Sequence, residues 1–371
     1  MRIGIDARMM TPRVTRGIGR YVEELVRAML EEAPEHRYAL VTRHPMHPFS
    51  THPSVETVVA DIPWYGASEQ LKMPTVLRSL RADVIHIPHW NVPVLAPGPL
   101  VMTIHDLLLR HIPMSARIST RSPMLAKVKR AGYRVTLSKA VHHAKKILVP
   151  TQFTADDVAQ WYPNAKGKIV VTGEGMTRRL LPSRLNVRQP PRTHFLLYVG
   201  SAYPHKGLGL LIDAWEELEM RHPGLRLKIA GAEDAFMRSV KQGAQRRGLS
   251  RVEFLGFIED EELAKLYQEA VAFVFPSEFE GFGLPPLEAM QAGCPVVSSD
   301  AAALPEVLGT KGVFYFRNGS KIDILRAIDR VLIDPDEARR GVERALPALR
   351  ERHDWLRAAR ITLGAYTDTI S

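Results

Sequence analysis

The sequence predicts an α/β chain with two doubly wound parallel sheets in series. Short apolar runs alternate with amphipathic stretches through both halves, and an aperiodic proline-rich segment divides them. At 371 residues the chain has room for about two cores of ordinary size. Strands that alternate with helices favour parallel sheets covered on both faces.

Taken in order, residues 2–6 read as the first strand, so the opening MRIGIDARMM is expected to be structure and not a signal peptide. Residues 21–30 follow as a helix with Val22, Leu25, Val26 and Met29 on one face. Further strands are expected at 38–42, 55–60, 84–87, 100–104 and 146–149, with a helix around 125–143. Residues 181–192, LPSRLNVRQPPR, carry three prolines and no period, and read as a linker. The second series has strands at 194–200, 225–231, 252–256, 271–276, 295–298 and 313–316. Helices are expected at 208–220, 261–269 and 287–292, and the tail 334–371 is mostly helical. Two such Rossmann-like domains joined by a linker place a cleft between them, where ligands usually sit.

Hydrophobic residues make up 45% and charged residues 24%, which excludes a disordered or fibrous chain. The single cysteine, Cys294, has no internal disulfide partner; between Gly293 and Pro295 it reads as a packed residue in a reducing compartment. No apolar run approaches the roughly 20 residues of a membrane span. A cytoplasmic location is expected, with peripheral attachment at the inner membrane face as an addition. The net charge of +10 comes from one stretch. Residues 107–155 contain no Asp or Glu, but hold Arg110, Arg117, Arg121, Lys127, Lys129, Arg130, Arg134, Lys139, Lys145 and Lys146. Subtracting those ten from 50 Lys and Arg leaves 40, which equals the 40 Asp and Glu. Such a run is a solvated helix face, or it attracts an anionic membrane or a phosphate-bearing acceptor. Nucleic acid is not expected, because the run lacks a recognisable motif and aromatic interleaving.

The densest chemical signal is PSEFEGFGLPPLEAMQAGCPVV at 276–297. Glu280 and Glu288 stand eight apart, a spacing that means nothing by itself. Its context is a strand ending in a glycine-containing turn, after which Pro285 opens a helix. A strand–loop–helix junction aims backbone N–H groups and the positive helix end at an anion. A phosphate-bearing ligand fits there, with the two glutamates accepting hydrogen bonds from sugar hydroxyls.

This segment resembles the donor-binding signature of the group 1 (family 4) retaining glycosyltransferases of the GT-B fold. The resemblance continues in YVGSAYPHKG at 198–207, LKIAG at 227–231, VEFLGFIEDEEL at 252–263, RGIGRYV at 16–22 and TIHDL at 103–107. It implies that Glu288 binds the ribose hydroxyls and that Glu280 sits by the donor hexose. Backbone groups of Gly281, Phe282, Gly283 and Leu284 then line the sugar and phosphates, and Lys206 neutralises the diphosphate. On the opposite wall, Gly17 and Gly19 let backbone approach the phosphates, and His105 lies close to the sugar. Read alone, the glycine pair is a plain turn and His105 a structural histidine, with Asp106 orienting it or capping a helix. Many relatives carry an arginine directly after the YVG strand; here that position is Ser201, with His205 or Arg178 as replacements.

The resemblance also implies domains at 1–185 (acceptor side) and 193–354 (donor side), a linker at 186–192, and a last helix, 355–371, packing back on the first domain after His353-Asp354-Trp355. It implies retention without a carboxylate nucleophile: the leaving diphosphate helps deprotonate the acceptor, and charge stabilisation and domain closure carry the rate. No cofactor and no metal is expected, since no group of ligating residues has metal spacing. The partners are then a GDP- or UDP-linked sugar and a glycan or lipid-linked acceptor in cell-surface polysaccharide synthesis. IGIDAR, GIGRY and TIHDL resemble the mannosyltransferase-type members and point to GDP-mannose. Trp64, Tyr65, His86, His89 and Trp90 are candidates for stacking on the acceptor, or for the core. A nucleotide-sugar epimerase of the same fold and a non-catalytic nucleotide-sugar or nucleic-acid binder remain as alternatives.

Overall fold

Runs such as Ile3–Gly4–Ile5 and Leu196–Leu197–Tyr198 bury both faces, as central strands of a covered parallel sheet must. A computed structural model describes residues 1–10, 17–112, 123–177 and 194–371. It divides into two units, Met1–Gly175 with His353–Ser371, and Met176–Arg352.

The first unit has seven parallel strands: β1 (Arg2–Asp6), β2 (Arg37–Thr42), β3 (Val55–Val59), β4 (Val84–Ile87), β5 (Leu100–Thr103), β6 (Lys146–Val149) and β7 (Ile169–Val171). Their spatial order is β3-β2-β1-β4-β5-β6-β7, all neighbours parallel. The order reverses between β1 and β4, so the chain leaves these strands toward opposite sides and opens a crevice at their carboxyl ends. The helix Ile18–Glu32 buries Val22, Leu25, Val26 and Met29, the stripe its period predicts. Helices Ala67–Ser79 and Gln152–Trp161 and the strand β7 are additions to the expected elements. Pro74 inside Ala67–Ser79 explains one omission, since proline argues against a helix interior. That helix forms because Glu69, Met73 and Leu77, four apart, all turn inward.

The second unit has six parallel strands: β8 (Phe195–Val199), β9 (Arg226–Ala230), β10 (Val252–Gly256), β11 (Ala272–Phe275), β12 (Val296–Ser299) and β13 (Val313–Phe316). Their order, β10-β9-β8-β11-β12-β13, reverses between β8 and β11. Trp215 on the helix Leu208–Arg221 is fully buried in the core on one face of this sheet.

The tail is two helices, Pro335–Arg352 and Trp355–Ile370. Asp354 starts the second by accepting from the amides of Leu356 (3.1 Å) and Arg357 (3.3 Å). Trp355–Ile370 belongs to the first unit, where Trp355 and Tyr366 enter the same core as Tyr21, Leu25 and Met29. The expected linker 186–192 and Arg178 lie outside the described residues, as do Arg117, Arg121 and the side chains of Lys127, Lys129 and Arg130.

Candidate active site

The expected site residues fall into two groups, one in each unit. In the second unit they collect at the carboxyl ends of β8 and β11, where the strand order reverses. The chain leaves β8 through Gly200 and Ser201, whose carbonyl accepts from the Tyr198 hydroxyl at 2.7 Å. It then makes a short 3-10 turn, Pro204–Lys206, which ends on Gly207 in the left-handed region (φ 70°). A Cβ on Gly207 would stand 1.8 Å from the Pro276 carbonyl oxygen, so only glycine lets these two loops touch. The contact is sealed by the Glu278 amide, which donates to the His205 carbonyl at 2.7 Å.

This approach delivers Lys206 to Glu280. Lys206 Nζ lies 2.7 Å from Glu280 Oε1, and Ser277 Oγ donates to the same oxygen at 2.6 Å. The two charged side chains are mostly but not wholly buried, with 26% and 13% exposure. His205, beside Lys206 in the same turn, stacks its ring on Tyr203 with centroids 6.0 Å apart. Past Glu280, Gly283 in the left-handed region (φ 94°) starts the helix Leu284–Gln291, with no side chain capping it. The uncapped first turn is electropositive, which suits a phosphate. Glu288 is the fifth residue of that helix, in its second turn, and is 6% exposed. Gly281 and Phe282 complete the loop between Glu280 and the helix.

In the first unit, the helix Ile18–Glu32 begins on Gly17, which is exposed, has φ 56° and has no side-chain cap. Gly19 is buried in the first turn. Tyr21, one step further, meets His105 edge to face with ring centroids 4.6 Å apart. His105 stands just past β5. Its Nδ1 lies 3.4 Å from Glu174 Oε1 and its Nε2 3.2 Å from the Pro88 carbonyl. Asp106 Oδ1 accepts the Leu108 amide at 2.9 Å, at the start of a short helix.

Two clusters here were not legible in the sequence. Glu174 is 3% exposed and reaches His105 from 69 positions away. Arg8, 1% exposed, is held by Asp6 (2.8 and 2.7 Å), Glu69 (2.6 Å) and the Ile62 carbonyl (2.9 Å). Burial opposes the Arg8 charge, but hydrogen bonds and charge from Asp6 and Glu69 prevail and raise its pKa. Burial likewise pushes Glu69 up, against the pull of Arg8. The only trace of this cluster in the sequence is a pair of opposite charges, Asp6 and Arg8, at the end of strand β1.

The aromatic candidates separate. His86 is a core residue, fully buried, with Nδ1 2.7 Å from the Tyr366 hydroxyl and Nε2 2.8 Å from Thr103 Oγ1. It has no surface for an acceptor, because β4 is central and both faces are covered. Tyr65 is 61% exposed and stacks on Trp90 at 5.5 Å. Cys294 is fully buried, and burial pushes its thiol up to about 12, which suits packing and not nucleophilic attack. Among the described residues no cluster of His, Cys, Asp and Glu is arranged to hold a metal ion. In Asp334-Pro335-Asp336, Asp334 Oδ1 accepts the Glu337 amide at 2.9 Å at the start of the helix Pro335–Arg352. No described helix is long and apolar enough to cross a membrane.

Comparison with known proteins bears on both units. The family model for group 1 glycosyl transferases matches residues 184–346, and the model for glycosyltransferase family 4 matches residues 15–176. O-antigen chain mannosyltransferase B of Escherichia coli is 33% identical over 189 residues, a match that spans about half of each protein (48% of this chain, 49% of the relative). Glycogen synthase of Mycobacterium tuberculosis is 27% identical across 99% of this chain and 94% of its own. Among solved structures, sucrose-phosphate synthase from Thermosynechococcus elongatus superposes with a TM-score of 0.80 at 20% identity, covering 99% of this chain and 98% of that one. The last likeness concerns the fold alone, which is GT-B.

Proposed function

Because the chain belongs to the group 1 glycosyltransferases of the GT-B fold, we propose that it transfers a hexosyl group, with retention, from a nucleotide diphosphate sugar to a glycan or lipid-linked acceptor. The observation that carries this reading is the Lys206–Glu280 pair beside the uncapped start of the helix Leu284–Gln291. A diphosphate entering there draws the Lys206 ammonium away from Glu280 and toward the phosphate oxygens. That frees a carboxylate next to the sugar, where it accepts hydroxyl hydrogen bonds. As the glycosidic bond breaks, negative charge grows on the departing diphosphate. Lys206, the helix start and the loop amides stabilise it more in the transition state than in the ground state, which is what accelerates the reaction. The diphosphate oxygen is the base that takes the acceptor proton, so the new bond forms on the face the nucleotide leaves. Glu288, in the second turn of the helix, holds the ribose.

In this reading the donor is GDP-mannose. The resemblance of the first unit to mannosyltransferase-type sequences and the likeness to an O-antigen mannosyltransferase support that choice over a UDP-sugar. The acceptor belongs to cell-surface polysaccharide synthesis, and the basic stretch 107–155 holds the protein to an anionic membrane surface. Transfer needs no metal ion.

A thermal-shift series with GDP, UDP, GDP-mannose, UDP-glucose and NAD tests the nucleotide half. A ligand present at 100 times its dissociation constant adds about 2.7 kcal/mol to stability. The expected result is a shift with GDP and GDP-mannose, undiminished by excess chelator. A shift with NAD alone would sink the reading. Product analysis with GDP-mannose and a mannosylated lipid acceptor then separates transfer from epimerisation, which releases an altered sugar and consumes no acceptor.

A further inference from the structure

At the carboxyl ends of β1 and β4, the first unit has a small recess lined by Asp6, Arg8, Trp64, Glu69, His89 and Asn91, among others. Tyr65, bonded to Glu69 and His89 of that lining, has a setting that is unusual in three ways. The residue adopts φ 63°, a left-handed conformation that costs energy for any side chain with a Cβ. Its amide is tied to Glu69 Oε2 at 2.7 Å, and the same oxygen accepts from Asn91 Nδ2 at 2.5 Å. Its ring, 61% exposed, is stacked on Trp90 with an interplanar angle of 29°. Trp90 is in turn braced edge-on by Tyr133 at 4.6 Å. A large aromatic ring is therefore held out to solvent by a strained backbone and a rigid support.

The hydroxyl end is fixed as well. The Asn91 amide donates to His89 Nδ1 at 3.0 Å, so that nitrogen carries no proton. Burial, with help from the charges of His105 and Arg8, pushes His89 down to about 3, so the ring is neutral and its proton sits on Nε2. Nε2–H then donates to the Tyr65 oxygen at 3.1 Å, which leaves the phenolic proton free to donate outward.

We propose that the Tyr65–Trp90 stack and the adjoining recess form a subsite for an uncharged sugar ring of the acceptor. A pyranose presents an apolar C–H face to an aromatic ring and hydroxyls around its edge. Stacked on Tyr65, it turns those hydroxyls toward the phenolic oxygen and its free proton. Among the described lining residues two carboxylates, Asp6 and Glu69, face one guanidinium, Arg8. Arg43, over the Trp64 ring, is itself paired with Asp61 at 2.6 Å. This surplus of negative charge disfavours phosphate, sulfate or uronate groups. The subsite rests on the glycosyl-transfer reading for its role, but not for its chemistry.

Saturation-transfer NMR on the full chain tests it, with methyl α-mannopyranoside, methyl α-glucopyranoside and methyl glucuronide as probes. The expected result is saturation on the ring-face protons of at least one neutral glycoside, with the glucuronide weaker by about tenfold. Tyr65→Ala is expected to weaken the neutral glycoside by about tenfold, while Tyr65→Phe keeps the stacked ring and stays within about threefold. The nucleotide thermal shift, which reports on the other unit, is expected to be the same in both variants, and an unmoved melting transition of the first unit certifies that they fold. Equal binding by Tyr65→Ala and wild type, a preference for the glucuronide, or no binding of any neutral glycoside overturns the subsite. Loss of the glycosyl-transfer reading looks different: the wild-type chain would bind a neutral glycoside yet show no shift with any nucleotide.

Discussion

Lys206 and Glu280 meet at 2.7 Å while Ser277 donates to the same carboxylate oxygen, so each charge has a partner before any ligand arrives. Replacing Lys206 with Ala leaves Glu280 facing the diphosphate alone. A kcat lower by about a hundredfold or more is expected, with a smaller change in donor KM, because the lysine acts on charge that develops in the transition state. Steady-state rates with saturating acceptor check this, and a variant within threefold of wild type would contradict the role. A second residue-scale effect comes from His86 and His89. Burial, and the charge of nearby His105, push each down to about 3, against about 6.5 in the unfolded chain. Between those values the unfolded state binds protons that the folded state refuses, so stability falls as pH drops. The loss begins near pH 6.5, is steepest below it, and levels off near pH 3. Each histidine contributes about 1 kcal/mol per pH unit within that window. Urea midpoints at pH 7 and pH 5 measure it, and His86→Gln is expected to flatten the slope.

At the scale of elements, the donor site depends on two loops that touch. The 3-10 turn after β8 and the loop after β11 approach until only Gly207 fits against Pro276. Gly207→Ala forces both a left-handed alanine and a backbone clash, at a cost of about 3 kcal/mol or more. The expected outcome is a lower Tm of the second unit and loss of the nucleotide shift, with the first unit's transition unmoved. This arrangement was half legible in sequence. KG before an amphipathic helix, and EGFG after an apolar strand, identify the loops because each has a local turn signature. Their contact is not local and left no signature. The same distinction separates Lys206 and Glu280, which sit in recognisable motifs, from Glu174 and Glu69. These last two are single buried carboxylates whose partners, His105 and Arg8, lie 69 and 61 positions away. The helix Ala67–Ser79 was missed for a related reason: its inward stripe contains a glutamate that only the Arg8 ion pair makes compatible with burial.

For the whole molecule, each unit has its own parallel sheet and its own core, but the chain does not divide once. Trp355–Ile370 leaves the second unit and completes the first, packing on Ile18–Glu32 and closing the Tyr366–His86 hydrogen bond at 2.7 Å. Trp355 also fills the space beside Gly175, where a Cβ would stand 2.3 Å from the indole. Ending the chain at Arg352 therefore strips apolar cover from the first unit and leaves the second intact. Differential scanning calorimetry is expected to show the first unit's transition lowered or abolished, while the second unit's transition still rises with GDP. A truncated chain whose two transitions both match wild type would contradict this account of the last helix.

The sequence by itself determined the alternation of strands and helices, the presence of two parallel sheets, and the glycine-rich loops with Lys206 and Glu280. All of these are written within windows of a few to some twenty residues, where period, turn chemistry and helix starts act. The tertiary structure alone decided which polar residues are buried together: Arg8 with Asp6 and Glu69, His105 with Glu174, and His86 with Tyr366. It also decided which aromatic residue is held out to solvent. Buried polar groups must find partners wherever the fold brings them, and a partner some 60 to 280 positions away has no imprint on local sequence. The exposure of Tyr65 is also set by the fold: Glu69 ties its amide from four positions away, and the neighbours His89 and Trp90 hold its hydroxyl and ring from 24 and 25 positions away.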